Sequence, residues 1–151
     1  MTIRAATSAD DAFILGLVER FSEFPLPPGR DRQSVTAALR RDLELHLHER
    51  PITSHFFVIV QDGELAGFMH LQLVDDFFDA GLLCHISDLA VSPAHEGHGL
   101  GQRLLVHSEA FAREHGGVRL TLGVFPGNER ARRLYARYGF EPDMLRLGKP
   151  L

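Results

Sequence analysis

The chain has 151 residues, of which 44% are hydrophobic and 24% are charged, and its formal net charge is −4 at pH 7. These values predict a single globular domain over residues 1–151 and argue against general binding to nucleic acid or to anionic membranes. The single cysteine, Cys84, excludes an internal disulfide. No segment is apolar enough to cross a membrane, and residues 1–4 show no signal-peptide pattern. We therefore expect a soluble, cytoplasmic protein.

The first part of the chain predicts one strand and two helices. Residues 2–6 are β-prone, and a capped segment with apolar residues at helical spacing follows over residues 8–21. The prolines and glycine of residues 25–29 end this first helix. Apolar residues four positions apart then predict a second helix over residues 31–49.

The middle of the chain predicts an antiparallel meander. Three β-prone runs occupy residues 56–61, 65–74 and 82–91, and the third is apolar enough for the interior of a sheet. An Asp-Gly dipeptide at 62–63 predicts a hairpin turn between the first two runs. A polar segment with two aromatic residues, at 75–81, separates the second run from the third.

The last third of the chain predicts a helix, a strand and a second helix. A glycine-rich turn at residues 97–101 leads into a helix with an apolar stripe, which ends at the glycine pair 116–117. Alternation predicts a strand over residues 118–124, and the last helix begins at 126–128. Residues 140–147 are expected to form one or two short strands. This order of elements predicts a domain of the α/β (α+β) class.

The strongest functional signal lies in residues 86–105. There, an apolar run enters a glycine-rich turn that opens directly into a helix. Free backbone N–H groups and the positive end of the helix dipole converge at such a turn, which suits a phosphate group. A Walker-type loop is excluded because Gly101 is followed by Gln102 and Arg103. A dinucleotide fingerprint fits poorly, because the glycines lie at 97, 99 and 101 and follow a meander.

Two motifs in this chain resemble those of the GNAT superfamily of CoA-dependent N-acetyltransferases. Residues 91–101, V-S-P-A-H-E-G-H-G-L-G, resemble the family's acetyl-CoA-binding segment, Gln/Arg-x-x-Gly-x-Gly/Ala at a strand-to-helix turn. Residues 128–140, N-E-R-A-R-R-L-Y-A-R-Y-G-F, resemble its second signature, N-x-x-A-x-x-L-Y…G-F. The resemblance implies a mixed, mostly antiparallel sheet of six to seven strands, flanked by about four helices and splayed at its central strands.

The resemblance also implies acetyl-CoA as co-substrate and a set of residues that bind it. That set is Leu89, Ala90, Val91, Glu96, Gly97, His98, Gly99, Leu100, Gly101, Gln102, Asn128 and Tyr135. One member departs from the family pattern, because Glu96 stands where the family has Gln or Arg. A carboxylate beside a pyrophosphate is unfavourable, so we expect the Glu96 side chain to face solvent near Arg103 and to weaken cofactor binding.

The chemistry of N-acetyl transfer requires a stabilised oxyanion, an acid and a base. The resemblance assigns the oxyanion to backbone N–H groups of residues 89–91, and the acid that protonates the leaving thiolate to Tyr135. Two candidates remain open for the base, Asp88 and His85, and each has an alternative interpretation as a hydrogen-bonded structural residue. Asn128 is expected to cap the last helix and to touch the cofactor.

The acceptor is less well defined by the sequence. The resemblance implies that residues 22–30 and the last strands build its site, which is open or completed by a second subunit of a homodimer. A small amine is the first choice, and a protein N-terminus or lysine is the second. A CoA-binding module without catalysis and a transferase for longer acyl chains are further alternatives. Nine histidines are present, but no three ligands share a recognisable metal spacing, so we expect no metal site.

Overall fold

The computed structural model describes residues 1–151 and contains one mixed sheet of five strands. In spatial order, the strands are β1 (Thr2–Ala5), β2 (Ser54–Gln61), β3 (Glu64–Asp75), β4 (Leu82–Val91) and β5 (Gly117–Leu122). The first four strands pair antiparallel, and β5 pairs parallel to β4. The prediction of a mixed, mostly antiparallel sheet is confirmed.

Four α-helices flank the sheet, as predicted. They are α1 (Asp11–Gly16), α2 (Arg32–Glu49), α3 (Leu100–Glu114) and α4 (Glu129–Arg137). The prediction of one continuous helix over residues 8–21 is wrong, because α1 is flanked by separate 3-10 turns at Ser8–Asp10 and Val18–Phe21. The break falls at Gly16, a poor helix former, and at Leu17, whose ψ of 2° departs from helical geometry.

The sheet is covered on both faces, so the molecule has three layers and two apolar cores. On one face, α3 packs on the sheet, and on the other face α1 and α2 do so. The α3 core includes Met69, Leu71, Ile86 and Leu104, and the core beneath α1 and α2 includes Ile14, Leu43, Val58 and Phe68. None of the helices is both long and apolar enough to cross a membrane.

The prediction of a six- to seven-stranded sheet is wrong, because the chain after α4 forms no strand. Phe140 packs against the core, but Pro142 has no N–H to donate to a sheet and Leu145 and Leu147 are exposed, so residues 141–147 bury no apolar face that would set a register. The end of the chain instead runs back along the surface. The ring of Pro150 lies against Gly29, near the start of α2.

Candidate active site

A cleft opens where β4 and β5 stop pairing. Residues 82–86 of β4 pair with β5, but residues 87–91 have no partner strand on that side. The cleft has a volume of about 920 Å³ and lies between the glycine turn, the start of α3 and the inner face of α4. The predicted splay therefore lies between β4 and β5, and it exposes a free strand edge inside the cleft.

A β-bulge at Ser87 determines which way the following side chains point. His70 of β3 pairs with Asp88, whereas the next residue, Leu71, pairs with Ile86, so Ser87 is the extra residue on β4. Side chains alternate along a strand, and one extra residue moves those beyond it to the opposite face. Ile86 accordingly packs in the α3 core and Ala90 packs beneath α1 and α2. The bulge places Asp88 on the α1–α2 face, where it is 6% exposed and lines the cleft.

The glycine turn forms a cradle of unpaired amides. Gly97 and Gly99 have φ angles of 79° and 73°, a backbone region that favours glycine. Arg103 is the first residue of α3 whose backbone N–H donates to a carbonyl oxygen of the preceding turn. Its acceptor is the carbonyl oxygen of Gly99, at 3.2 Å, and no side chain caps the helix. The amides of residues 100–102 therefore remain free at the positive end of the helix dipole. This cradle fits a phosphate group.

All the predicted cofactor residues except His98 line this cleft. His98 is exposed, its Nδ1 lies 3.2 Å from the carbonyl oxygen of His95, and it lines a separate, smaller cleft beside α3. Asn128 lines the main cleft and also caps α4, because its Oδ1 accepts the backbone N–H of Ala131 at 3.2 Å. The predicted cap is confirmed, and contact of Asn128 with the cofactor stays a prediction.

The two candidate bases lie in different surroundings. Asp88 lines the cleft, whereas His85 does not, and Nδ1 of His85 lies 2.9 Å from Oγ1 of Thr121 on β5. Burial lowers the pKa of His85, and the nearby Asp88 carboxylate opposes this shift in part. The structure therefore brings Asp88, but not His85, to the cleft surface.

Tyr135 lies on the face of α4 that lines the cleft. Burial raises the pKa of its phenol to about 12, because the charged phenolate is poorly solvated there. Its ring packs against Phe140, with centroids 5.7 Å apart. At neutral pH, Tyr135 is therefore a protonated phenol at the cleft surface.

The expectation that Glu96 faces solvent near Arg103 is wrong. Its side chain is 27% exposed and forms ion pairs with Arg20 and Arg130, which both line the cleft. Arg130 Nη1 lies 2.6 Å from Oε2 of Glu96, and Arg20 also pairs with Glu23 at 2.5 Å. Two arginines therefore balance the carboxylate that departs from the family pattern.

The wall of the cleft opposite the glycine turn was predicted only in part, because the sequence placed residues 22–30 at the acceptor site but missed Arg20, Phe21, Leu39 and Phe125. It includes Arg20, Phe21, Glu23, Phe24 and Leu39, together with Phe125 and Arg130. The segment of residues 22–30 touches the loop between β5 and α4, because the rings of Phe24 and Phe125 lie 6.0 Å apart. The approach is close, since a Cβ on Gly127 would lie 2.0 Å from the carbonyl oxygen of Pro25. These contacts join segments about 100 residues apart, which no local pattern reveals.

His70 was also missed. It lies fully buried beside Asp88 in a strand of otherwise apolar character, and the only signal in the sequence is one polar residue within the run 65–71. No group of three or more His, Cys, Asp or Glu residues is placed to hold a metal ion.

Comparison with known proteins identifies the family. Residues 18–140 match the family model described as Acetyltransferase (GNAT) family. The chain belongs to the GNAT acetyltransferase family. The resemblance drawn from the two motifs is thereby confirmed, as is the assignment of the protein as an acyltransferase.

Two relatives of this GNAT protein match most of its length. YhfO of Bacillus subtilis (strain 168), described as an uncharacterized N-acetyltransferase, is 32% identical over 143 residues, which cover 95% of this chain and 91% of YhfO. A B. subtilis protein provisionally named [ribosomal protein bS18]-alanine N-acetyltransferase is 32% identical over 117 residues, 77% of this chain and 73% of its own.

The fold is likewise shared with solved structures. The aminoglycoside N-acetyltransferase AAC(6')-Iy, in complex with CoA, superimposes with a TM-score of 0.72 at 18% identity, over 99% of this chain and 93% of that one. This likeness supports the fold of the GNAT protein. The predicted homodimer and the cytoplasmic location stay predictions.

Proposed function

We propose that residues 1–151 form one N-acetyltransferase domain that moves an acetyl group from acetyl-CoA to a primary amine by direct attack in a ternary complex. The observation that carries this proposal is the convergence of the free amides of residues 100–102, Asp88 and Tyr135 on one cleft. Acetyl-CoA is the co-substrate that membership of an acetyltransferase family implies, and it supplies an activated thioester carbonyl. The residues present fit it, because the cradle is anion-binding and the strand edge is free.

The chain binds and orients this co-substrate through backbone groups. The free amides at the start of α3 hold the pyrophosphate, and the unpaired edge of β4 over residues 87–91 offers N–H and C=O groups to the amides of the pantetheine arm. A backbone N–H within residues 89–91 stabilises the negative charge that develops on the carbonyl oxygen during attack. This stabilisation needs no side chain, which agrees with the apolar character of Leu89, Ala90 and Val91.

Proton transfers are assigned to two side chains of the cleft. As the N–C bond forms and the C–S bond breaks, Asp88 accepts the proton that the amine loses, and Tyr135 gives its proton to the departing sulfur. His85 is the alternative base, but its Nδ1 is engaged by Thr121 and it lies outside the cleft surface. Asp88 is therefore the base that we favour.

A small amine is the acceptor that we favour. The wall opposite the cofactor cradle carries Phe21, Phe24 and Leu39 together with the carboxylate of Glu23, and Asp88 lines the same cleft. The rings of Phe24 and Phe125, 6.0 Å apart, add aromatic surface to the same wall. A protein N-terminus or a lysine is the second candidate, and the relative named as a ribosomal protein alanine N-acetyltransferase supports it.

One experiment separates these functions. The protein is incubated with acetyl-CoA or a longer acyl-CoA and with a panel of small amines, alanine-terminated peptides and lysine peptides, while free thiol and product mass are followed. Thiol release with a small amine supports the proposal, and release with peptides alone supports the second candidate. Tight binding of CoA in calorimetry, with no thiol release for any acceptor, would indicate a non-catalytic CoA-binding module.

A further inference from the structure

A chain of hydrogen-bonded side chains runs from the cleft into the interior of the protein. Oδ2 of Asp88 lies 3.0 Å from Nδ1 of His70, whose Nε2 contacts Oγ of Ser54. The same Oγ lies 3.1 Å from Nδ1 of His46 on α2. His70 is fully buried, whereas His46 is partly exposed at the far end, 3.7 Å from the carboxylate of Asp42. The chain thus links the cleft to α2 through the α1–α2 face of the sheet.

Three neighbouring strands hold this chain in place. Phe56, His70 and Asp88 are direct cross-strand partners on β2, β3 and β4. Asp88 reaches this register only because of the bulge at Ser87. The ring of His70 stacks on that of Phe56, with centroids 4.0 Å apart and planes 6° apart, so Nδ1 is held in the direction of Asp88.

The donors of the chain all point towards Asp88. An ionised carboxylate only accepts hydrogen bonds, so Nδ1 of His70 carries the proton and donates it. Nε2 of neutral His70 then accepts the hydroxyl of Ser54, and the oxygen of Ser54 accepts the N–H of His46. Nε2 of His46 lies 3.4 Å from the amide nitrogen of Gln72, which is a donor. Every buried group of the chain therefore finds a matching partner.

We propose that His70, supported by Ser54 and His46, is a positioning residue that presents Asp88 as an oriented carboxylate to the acceptor amine. His70 is hydrogen-bonded to Oδ2 of Asp88, and no protein group is hydrogen-bonded to Oδ1 of Asp88. The order of atoms matches that of a nucleophilic Ser–His–Asp triad, but the cleft opens at Asp88 and not at Ser54. The arrangement therefore acts on the carboxylate. This inference rests on the proposed function of Asp88 as the base.

The first test needs no acceptor. Long-range ¹H–¹⁵N NMR correlations of the labelled protein report which nitrogen of each imidazole is protonated, and the His70→Asn variant assigns the His70 signals. We expect neutral His70 with its proton on Nδ1. A proton on Nε2 instead would mean that Nδ1 is not a donor to Asp88, which would overturn the proposal.

The second test is kinetic and uses the amine of the panel that turns over fastest. His70→Leu is expected to lower kcat about 100-fold, at the lower end of what a proton-transfer group contributes. His70→Asn, whose side-chain N–H replaces Nδ1–H, is expected to restore kcat to within about fivefold of the unaltered protein. The Kd for acetyl-CoA should stay unchanged in both variants, since the chain lies on the face of the sheet opposite α3. His107→Leu, at a half-buried histidine outside the main cleft, is the matched control.

The outcomes separate this proposal from the proposed function. Equal losses of kcat in the Leu and Asn variants would show that His70 only fills space, which overturns positioning. Absence of thiol release from the unaltered protein with every amine, while His70 is protonated on Nδ1, would contradict the proposed function and leave the hydrogen-bonded arrangement supported.

Discussion

Glu96 and Arg130 face each other across the mouth of the cleft, with Nη1 of Arg130 2.6 Å from Oε2 of Glu96. The carboxylate lies at the first position of the phosphate cradle, and the arginine comes from α4 on the other side. Arg20 pairs with the same carboxylate. Glu96 thus pairs with Arg130 and shares Arg20 with Glu23, so it holds cationic groups that could meet the phosphates of the co-substrate.

Glu96→Gln is therefore expected to tighten acetyl-CoA binding. Removal of the carboxylate frees Arg130, leaves Arg20 paired with Glu23 alone and removes a like charge beside the pyrophosphate, which we expect to lower the Kd about three- to tenfold. Calorimetry at low and high salt measures the effect, which should shrink as salt increases. Glu109→Gln, at a surface ion pair with Arg113 on α3, is the matched control and should leave the Kd unchanged. An unchanged Kd in Glu96→Gln would show that Glu96 does not oppose the phosphates.

Tyr135→Phe is expected to lower kcat about 100-fold with little change in the Kd for acetyl-CoA, because the ring stays while the proton donor is lost. Tyr138→Phe, at the other tyrosine that lines the cleft, should retain kcat within about twofold. The rate of thiol release at a saturating concentration of amine gives kcat for both variants. A similar loss in the two would argue against a specific role for Tyr135.

The pH dependence of the rate should reflect the raised pKa of Tyr135. Because this pKa is about 12, the donating phenol persists at all lower pH values, so Tyr135 causes no loss of kcat up to about pH 10. A phenol with the ordinary pKa near 10 would already be half ionised there. The profile of kcat against pH tests this, and an alkaline decline below pH 10 that disappears in Tyr135→Phe would contradict it.

Asp10, in the 3-10 turn that follows β1, forms an ion pair with Arg4 on β1, and its titration should affect stability in acid. Hydrogen bonds from Arg4 lower the pKa of Asp10 to about 2, with a further contribution from the backbone N–H of Thr7. A lowered pKa contributes stability above the unfolded value, near 4, and this contribution is lost as the pH falls towards 2.

Asp10→Asn should therefore lower the free energy of unfolding by about 1–2 kcal/mol at pH 7, a value reduced because Arg4 is 43% exposed. Urea unfolding at several pH values should show this difference vanish between about pH 4 and pH 2. Asp143→Asn, at an exposed ion pair with Arg119, serves as the control and should change little at any pH. A difference that persists at pH 2 would mean that Asp10 does not stabilise through its charge.

Gly127→Ala tests the contact between the segment of residues 22–30 and the loop between β5 and α4. The added Cβ would lie 2.0 Å from the carbonyl oxygen of Pro25, so the segment of residues 22–30 has to move away. We expect a loss of about 1–3 kcal/mol in the free energy of unfolding, as for other overpacked sites. Gly123→Ala in the same loop, where a Cβ meets nothing within 4 Å, should change stability by less than about 0.5 kcal/mol. Equal values for the two variants would show that the segment does not press on this loop.

The sequence by itself determined most elements and the family. The predicted strand over residues 82–91 has the limits of β4, and the helix predicted over 31–49 corresponds to α2. The Asp-Gly turn at 62–63 adopts positive φ at both residues, as its chemistry requires. The phosphate cradle could also be predicted from the sequence, because a strand, two turn glycines and the start of a helix follow one another along the chain. These features depend on periodicity and turn chemistry within a few residues, which a sequence displays directly.

Only the tertiary structure decided which side chains meet in the cleft. Alternation alone would place Asp88 on the same face as Ile86, and the bulge at Ser87 reverses this. Glu96 pairs with Arg20, which lies 76 residues away in the sequence, and His70 is hydrogen-bonded to Asp88 on a neighbouring strand. A bulge, a strand register and a long-range ion pair result from the packing of the whole sheet between its helices. Local preference therefore predicted the cradle for the donor, while long-range packing set the surroundings of the base and of the acceptor.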